Sequence, residues 1–143
     1  MNTTKQLEII QKTHAFVKNK LEGEGSGHDW LHISRVLKNA ILIGENEDVD
    51  MFIVQLASLL HDIADWKFCD GNENLGPEIA RTFLREQEAA EKDIDHVCQI
   101  IKDISYKGQG TKTPMQSKEG EVVQDADRLD AIGAIGIART FAY

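Results

Sequence analysis

The chain predicts an all-α domain of about six helices, and three observations carry that prediction. Apolar residues recur at helical spacing in one segment after another, no stretch alternates β-branched residues as a half-buried strand would, and glycine-rich breaks cut the periodic segments into helix-sized lengths. A helical bundle around a single core is the economical architecture for such a pattern. At 143 residues the chain suits one domain, with enough length to bury a core without disulfides or a structural metal.

Leu7, Ile10, Val17 and Leu21 fall on one helical stripe, which predicts a first helix over residues 4 to 21 with His14 as a partly buried core histidine on the same face. Gly23-Glu24-Gly25-Ser26-Gly27 breaks it. A second helix is expected from Asp29 or Trp30 to Ile43, placing His32, Val36 and Ile43 on one side with Asp29 near its N-cap. Val49 to Ala64 is so uniformly apolar that it should be the central, most buried helix. Gly71 to Gly76 reads as a loop, and Pro77 is placed to open a fourth helix reaching Glu88. The fifth, Glu91 to Ile104, has Ile94, Val97, Cys98, Ile101 and Ile104 at core spacing, with His96 and Asp95 beside them. Lys107 to Gly120 is expected to be irregular, with Asp125 capping the last helix. The closing segment, 131 to 143, is helical in pattern and carries no terminator, which leads us to expect a single domain lacking a C-terminal part.

Composition narrows the partners. A formal net charge of −8 disfavours a long nucleic acid, whose binding draws on clustered Lys and Arg, but leaves a small phosphorylated ligand open. Cys69 and Cys98 have no metal-finger spacing, and no run approaches the length of a membrane span, so a cytoplasmic protein with no membrane partner is expected.

Chemistry concentrates where the apolar run Met51 to Leu60 ends in His61 and Asp62. Burying either side chain unpaired costs several kcal/mol, so the pair asks for partners. His32, within Gly27-His28-Asp29-Trp30-Leu31-His32, and Asp127, within Ala126-Asp127-Arg128-Leu129, are the candidates. The order His, His-Asp, Asp resembles the signature of the HD superfamily of metal-dependent phosphohydrolases. Arg35 and Val36 after the first His, and the Ala-Asp-Arg-Leu string around the last Asp, extend the resemblance over residues 26 to 140, and the run from Asp125 to Arg139 resembles a small bacterial subgroup of HD hydrolases.

The resemblance implies an HD-domain helical bundle in which His32, His61, Asp62 and Asp127 hold one divalent ion. Their mixed nitrogen and oxygen chemistry suits Mn, Mg, Co, Ni or Fe, manganese among them, rather than a closed structural zinc. The implied reaction is hydrolysis of a phosphate ester or anhydride of a small molecule, a nucleotide above all, by a water that the ion activates. Asp65, one helical turn beyond His61, is the candidate catalytic base. Arg35 is a candidate catalytic cation, and His28, Arg35, Lys67 and Arg128 are candidates to meet the phosphate charge, although Arg35 could equally serve a salt bridge.

Some nucleotide-hydrolysing members carry a Glu where Ala64 stands, which leaves a rival reading: a catalytically inactive metal- and nucleotide-binding regulatory module. Asp130, which flanks Asp127 on the other side from Asp125, is a candidate to orient a His ligand through its free ring nitrogen. His96 is expected to pack rather than to ligate.

Overall fold

The computed structural model describes residues 3–22, 28–63, 74–107 and 115–141, the backbone alone for 28, 29, 105–107 and 133–141. Six helices account for most of them: α1 (Thr3–Glu22), α2 (His28–Gly44), α3 (Met51–Leu60), α4 (Leu75–Glu86), α5 (Glu91–Lys107) and α6 (Lys118–Phe141). No strand occurs among the described residues. The all-α expectation holds.

α3 is the centre of the bundle, as its composition demands. Phe52, Ile53, Val54, Leu56, Ala57, Leu59 and Leu60 are all buried, and α1, α2, α5 and α6 pack around them. Asp50 starts the helix by accepting the Phe52 amide at 3.0 Å from an extended backbone, which satisfies one of the first unpaired donors. The helix is shorter than expected, stopping at Leu60, so His61 and Asp62 lie in the turn that follows it.

Other boundaries depart from the sequence reading for local reasons. In α1 the buried stripe is Ile9, Thr13, Val17 and Leu21, and Leu7 is 56% exposed. Thr13 is tolerated inside because its hydroxyl donates to the Ile9 carbonyl at 2.7 Å. His14 does lie half-buried, edge-on to Trp30 with ring centres 4.8 Å apart. α4 begins at Leu75, ahead of Pro77, and ends at Glu86 because Glu88 adopts a left-handed φ of 61°. There the Ala89 amide reaches the Leu84 carbonyl and the Glu88 amide reaches that of Arg85, the double bond pattern that closes a helix.

The largest correction concerns α6. It starts at Lys118, seven residues before Asp125, so Asp125 lies inside the helix and caps nothing. The cap is Ser117, whose Oγ accepts the Gly120 amide at 3.1 Å and shares a 2.9 Å hydrogen bond with His96 Nε2 on α5. The expected irregular segment 107 to 120 therefore shrinks from both ends; residues 108–114 lie outside the described residues. Ser117→Ala is expected to lower stability by about 1 kcal/mol, read from the shift in the chemical-denaturation midpoint at unchanged slope.

These boundaries define two ends of the bundle. At one, the Asp50 amide donates to Glu119 Oε2 at 2.9 Å, joining the start of α3 to the start of α6, and the end of α2 at Gly44 lies against Met51. α3 and α6 thus run side by side in the same direction while α2 returns against them. The other end receives the first turns of α2, the turn after α3 and the middle of α6.

Candidate metal centre

Three side chains converge at that second end. His32 Nε2 lies 3.1 Å from Asp127 Oδ1, and His61 Nε2 lies 3.5 Å from the same oxygen. One donor atom from each of the three residues falls within 4.8 Å of the others, a group of the size that could hold a metal ion. Each comes from a different helix or turn, so only the packing of α2, α3 and α6 assembles them.

Both imidazoles are anchored through their far nitrogens. His61 Nδ1 donates to the Ser58 carbonyl at 2.7 Å, and His32 Nδ1 donates to Asp130 Oδ2 at 2.5 Å. A proton held on Nδ1 leaves the Nε2 lone pair of the neutral ring for a metal. The His61 side chain is almost wholly buried, whereas His32 and Asp127 are partly open, so ligand access is from the α2 and α6 side. The buried Ser58 Oγ has no hydrogen-bond partner among the described residues.

Charge at the centre is displaced strongly from ordinary values. The hydrogen bond to Asp127 raises the His32 pKa to about 9 against the opposing effect of burial, and Asp130 adds to the rise. Burial opposes charge on His61, yet its Asp127 bond, the nearby Asp62 charge and the Ser58 carbonyl hold its pKa above the usual imidazole value. Burial alone would raise Asp127, but the two histidines hold it far below the normal carboxylate range. Two imidazoles around one carboxylate oxygen are thus a place that calls for positive charge, which protons fill in the free protein and a divalent cation would fill otherwise.

The donor set fits such an ion. Two imidazole nitrogens and a carboxylate oxygen suit the octahedral divalent ions, and oxygens at 2.0–2.1 Å from magnesium would lie about 3 Å from one another. The distances of 3.1 and 3.5 Å between donors are of that size.

The remaining candidates are distributed unevenly. Asp62 follows His61 directly and is exposed, outside the group of three. Arg35 is occupied by Asp130: Nε donates to Oδ1 at 2.5 Å and Nη2 to Oδ2 at 3.3 Å. Arg128 is exposed on α6 beside Asp127. Asp65 and Lys67 lie outside the described residues, as does the side chain of His28. His96 is a packing residue at the far end, about 15 Å of helix away by the rise from Ser117 to Asp127. The Ser58 carbonyl had no counterpart in the sequence reading, because a backbone acceptor leaves no trace in residue identity. Asp130 did have a signal, its i+3 spacing from Asp127.

This architecture and this trio of donors define a class. Residues 30–132 match the HD domain family, and the chain belongs to that family. Among its relatives is YpgQ of Bacillus subtilis (strain 168), an uncharacterized protein 43% identical over 141 residues, which make up 97% of this chain and 68% of that one. The crystal structure of an HD-superfamily hydrolase from Bacillus thuringiensis matches with a TM-score of 0.76 at 46% identity, covering 96% of this chain and 65% of that one. The crystal structure of B. subtilis YpgQ in complex with ADP matches with a TM-score of 0.74 at 42% identity, covering 96% and 66%. The chain spans about two thirds of the length of these relatives. No helix among the described residues is long and apolar enough to cross a membrane.

Proposed function

We propose that the chain is a metal-dependent phosphohydrolase that cleaves a phosphate ester or anhydride of a nucleotide. The observation that carries this reading is the convergence of His32 Nε2 and His61 Nε2 on Asp127 Oδ1, with both Nδ1 atoms already engaged elsewhere. Asp62, next to His61 and exposed, would be the fourth residue to hold the ion. When bound, a divalent ion supplies a Lewis acid that acidifies a water and polarises a phosphoryl oxygen.

The chain's own groups supply orientation and proton traffic. His61 and His32 present fixed nitrogens, Asp127 provides negative charge between them, and Asp65 takes the proton of the attacking water. His28, Lys67 and Arg128 meet the charge of the phosphate. The ADP complex of YpgQ supports a nucleotide as the phosphorylated partner.

A screen of phosphate and pyrophosphate release over nucleotides and simple phosphate esters, with Mn, Mg, Co and Ni, tests the reading. Release is expected with metal and is expected to disappear in Asp62→Ala; the leaving group then names the bond cut. Tight binding of one metal per chain and of ADP, with no release from any substrate, would replace the enzyme by a metal- and nucleotide-binding regulatory module.

A further inference from the structure

We propose that Arg35 and Asp130 act as a positioning pair for His32, so that Arg35 serves the metal centre from behind the ring rather than substrate phosphate. The consequence for metal affinity rests on the proposed metal centre; the pairing itself does not.

Geometry carries the argument. Asp130 is buried, at 8% exposure, and each of its oxygens is committed. Oδ1 accepts from Arg35 Nε at 2.5 Å, while Oδ2 accepts from Arg35 Nη2 at 3.3 Å and from His32 Nδ1 at 2.5 Å. The two-pronged guanidinium therefore fixes the plane of the carboxylate, and the carboxylate in turn fixes the plane and tautomer of the ring. With Nδ1 held, Nε2 on the opposite side of the imidazole is the nitrogen left facing Asp127 Oδ1 at 3.1 Å.

Matched spacings make the device possible. His32 and Arg35 are three residues apart on α2, and Asp127 and Asp130 are three apart on α6, so each helix offers two side chains one turn apart on one face. The lower pair of contacts aims the ligand and the upper pair holds the aim. The place of Arg35 one turn from His32 suggests a phosphate contact in the sequence, and its side chain is 53% exposed; its polar edge is nevertheless turned to Asp130. Removing Arg35 leaves a buried carboxylate without its cation, free to turn and to lose its grip on the ring.

Manganese titrations without substrate, on wild type, Arg35→Gln, Arg35→Lys and Asp130→Asn, separate this role from phosphate binding. Arg35→Gln and Asp130→Asn are expected to weaken manganese binding by about tenfold to a hundredfold, the range for partners that orient a ligand. Arg35→Lys is expected to recover part of the loss, since it keeps the charge and gives up the fork. Unchanged manganese affinity in Arg35→Gln, together with a raised KM or weaker ADP binding, would overturn the proposal and return Arg35 to the substrate. The second readout is the His32 Nδ1 proton of the metal-free protein, expected as a downfield, slowly exchanging resonance that Asp130→Asn abolishes and Arg35→Gln broadens. Its persistence in Asp130→Asn overturns the pairing. If wild type binds no manganese, the metal reading fails by itself, and the proton resonance still decides the pairing. Arg35 lies at the surface, so its variants are expected to keep the wild-type circular dichroism.

Discussion

Asp127→Asn is expected to abolish specific divalent-metal binding, lowering affinity by more than about a hundredfold, and metal-dependent hydrolysis with it. The floor follows from outer partners of a metal site, whose loss alone weakens binding by about tenfold to a hundredfold; a direct ligand at the centre of the set must matter more. Asp127 Oδ1 is the atom that both ring nitrogens share, at 3.1 and 3.5 Å. Asn keeps the shape and removes the charge. It also removes the largest of the interactions that raise the His32 pKa and the largest of those that raise the His61 pKa against burial. Calorimetric titration with manganese checks the affinity, and near-normal affinity in the variant would sink the assignment of this centre.

Metal binding is expected to remove the fall in stability that His32 gives the metal-free protein above neutrality. In the metal-free protein His32 has its pKa raised from 6.5 to about 9. Its contribution to stability is then complete below the unfolded value of 6.5 and is lost as pH rises through about 9. Asp127 works in the other sense: its folded pKa is depressed, so its contribution is present above the ordinary carboxylate value of 3.8 and is lost as pH falls further. The metal-free protein should therefore be most stable in mildly acidic solution.

A bound cation cancels that loss because it must displace the proton on His32 Nε2, which leaves the same neutral ring in the folded and unfolded chains above the unfolded value. Between about pH 7 and 9, affinity is expected to tighten about tenfold for each pH unit when one proton leaves, and more steeply if His61 releases another. Thermal unfolding with manganese and with chelator, at pH 6, 7.5 and 9, checks both halves. The gap in Tm should widen with pH. A constant gap would mean that metal and ring protons do not compete, and that the ion sits elsewhere.

How much of this was legible beforehand differs from element to element. The central helix was readable because Met51 to Leu60 is apolar on every face, and only a segment surrounded by others can satisfy that. The convergence of His61 with other polar side chains was readable for a related reason, since a titratable ring ending such a run needs a partner. The start of α6 was not. Ser117 is one polar residue among many in its neighbourhood, and it becomes a cap because His96 and Glu119 fasten the helix there. The α1 stripe misled by one step, because Thr13 counts as polar in a pattern but buries once its hydroxyl finds the Ile9 carbonyl.

By itself, then, the sequence determined the helical class, the core helix and the identity of the residues able to bind a metal, all of which depend on side-chain chemistry and on spacing within one element. Tertiary structure decided which of them meet and what each does on arrival. It set His32, His61 and Asp127 within reach of one point, turned Arg35 toward Asp130, and gave His61 a backbone carbonyl at Ser58. Residues 95 positions apart come together only when α2 and α6 lie antiparallel in one register, and no local pattern encodes that register. It is set by the packing of both helices against α3.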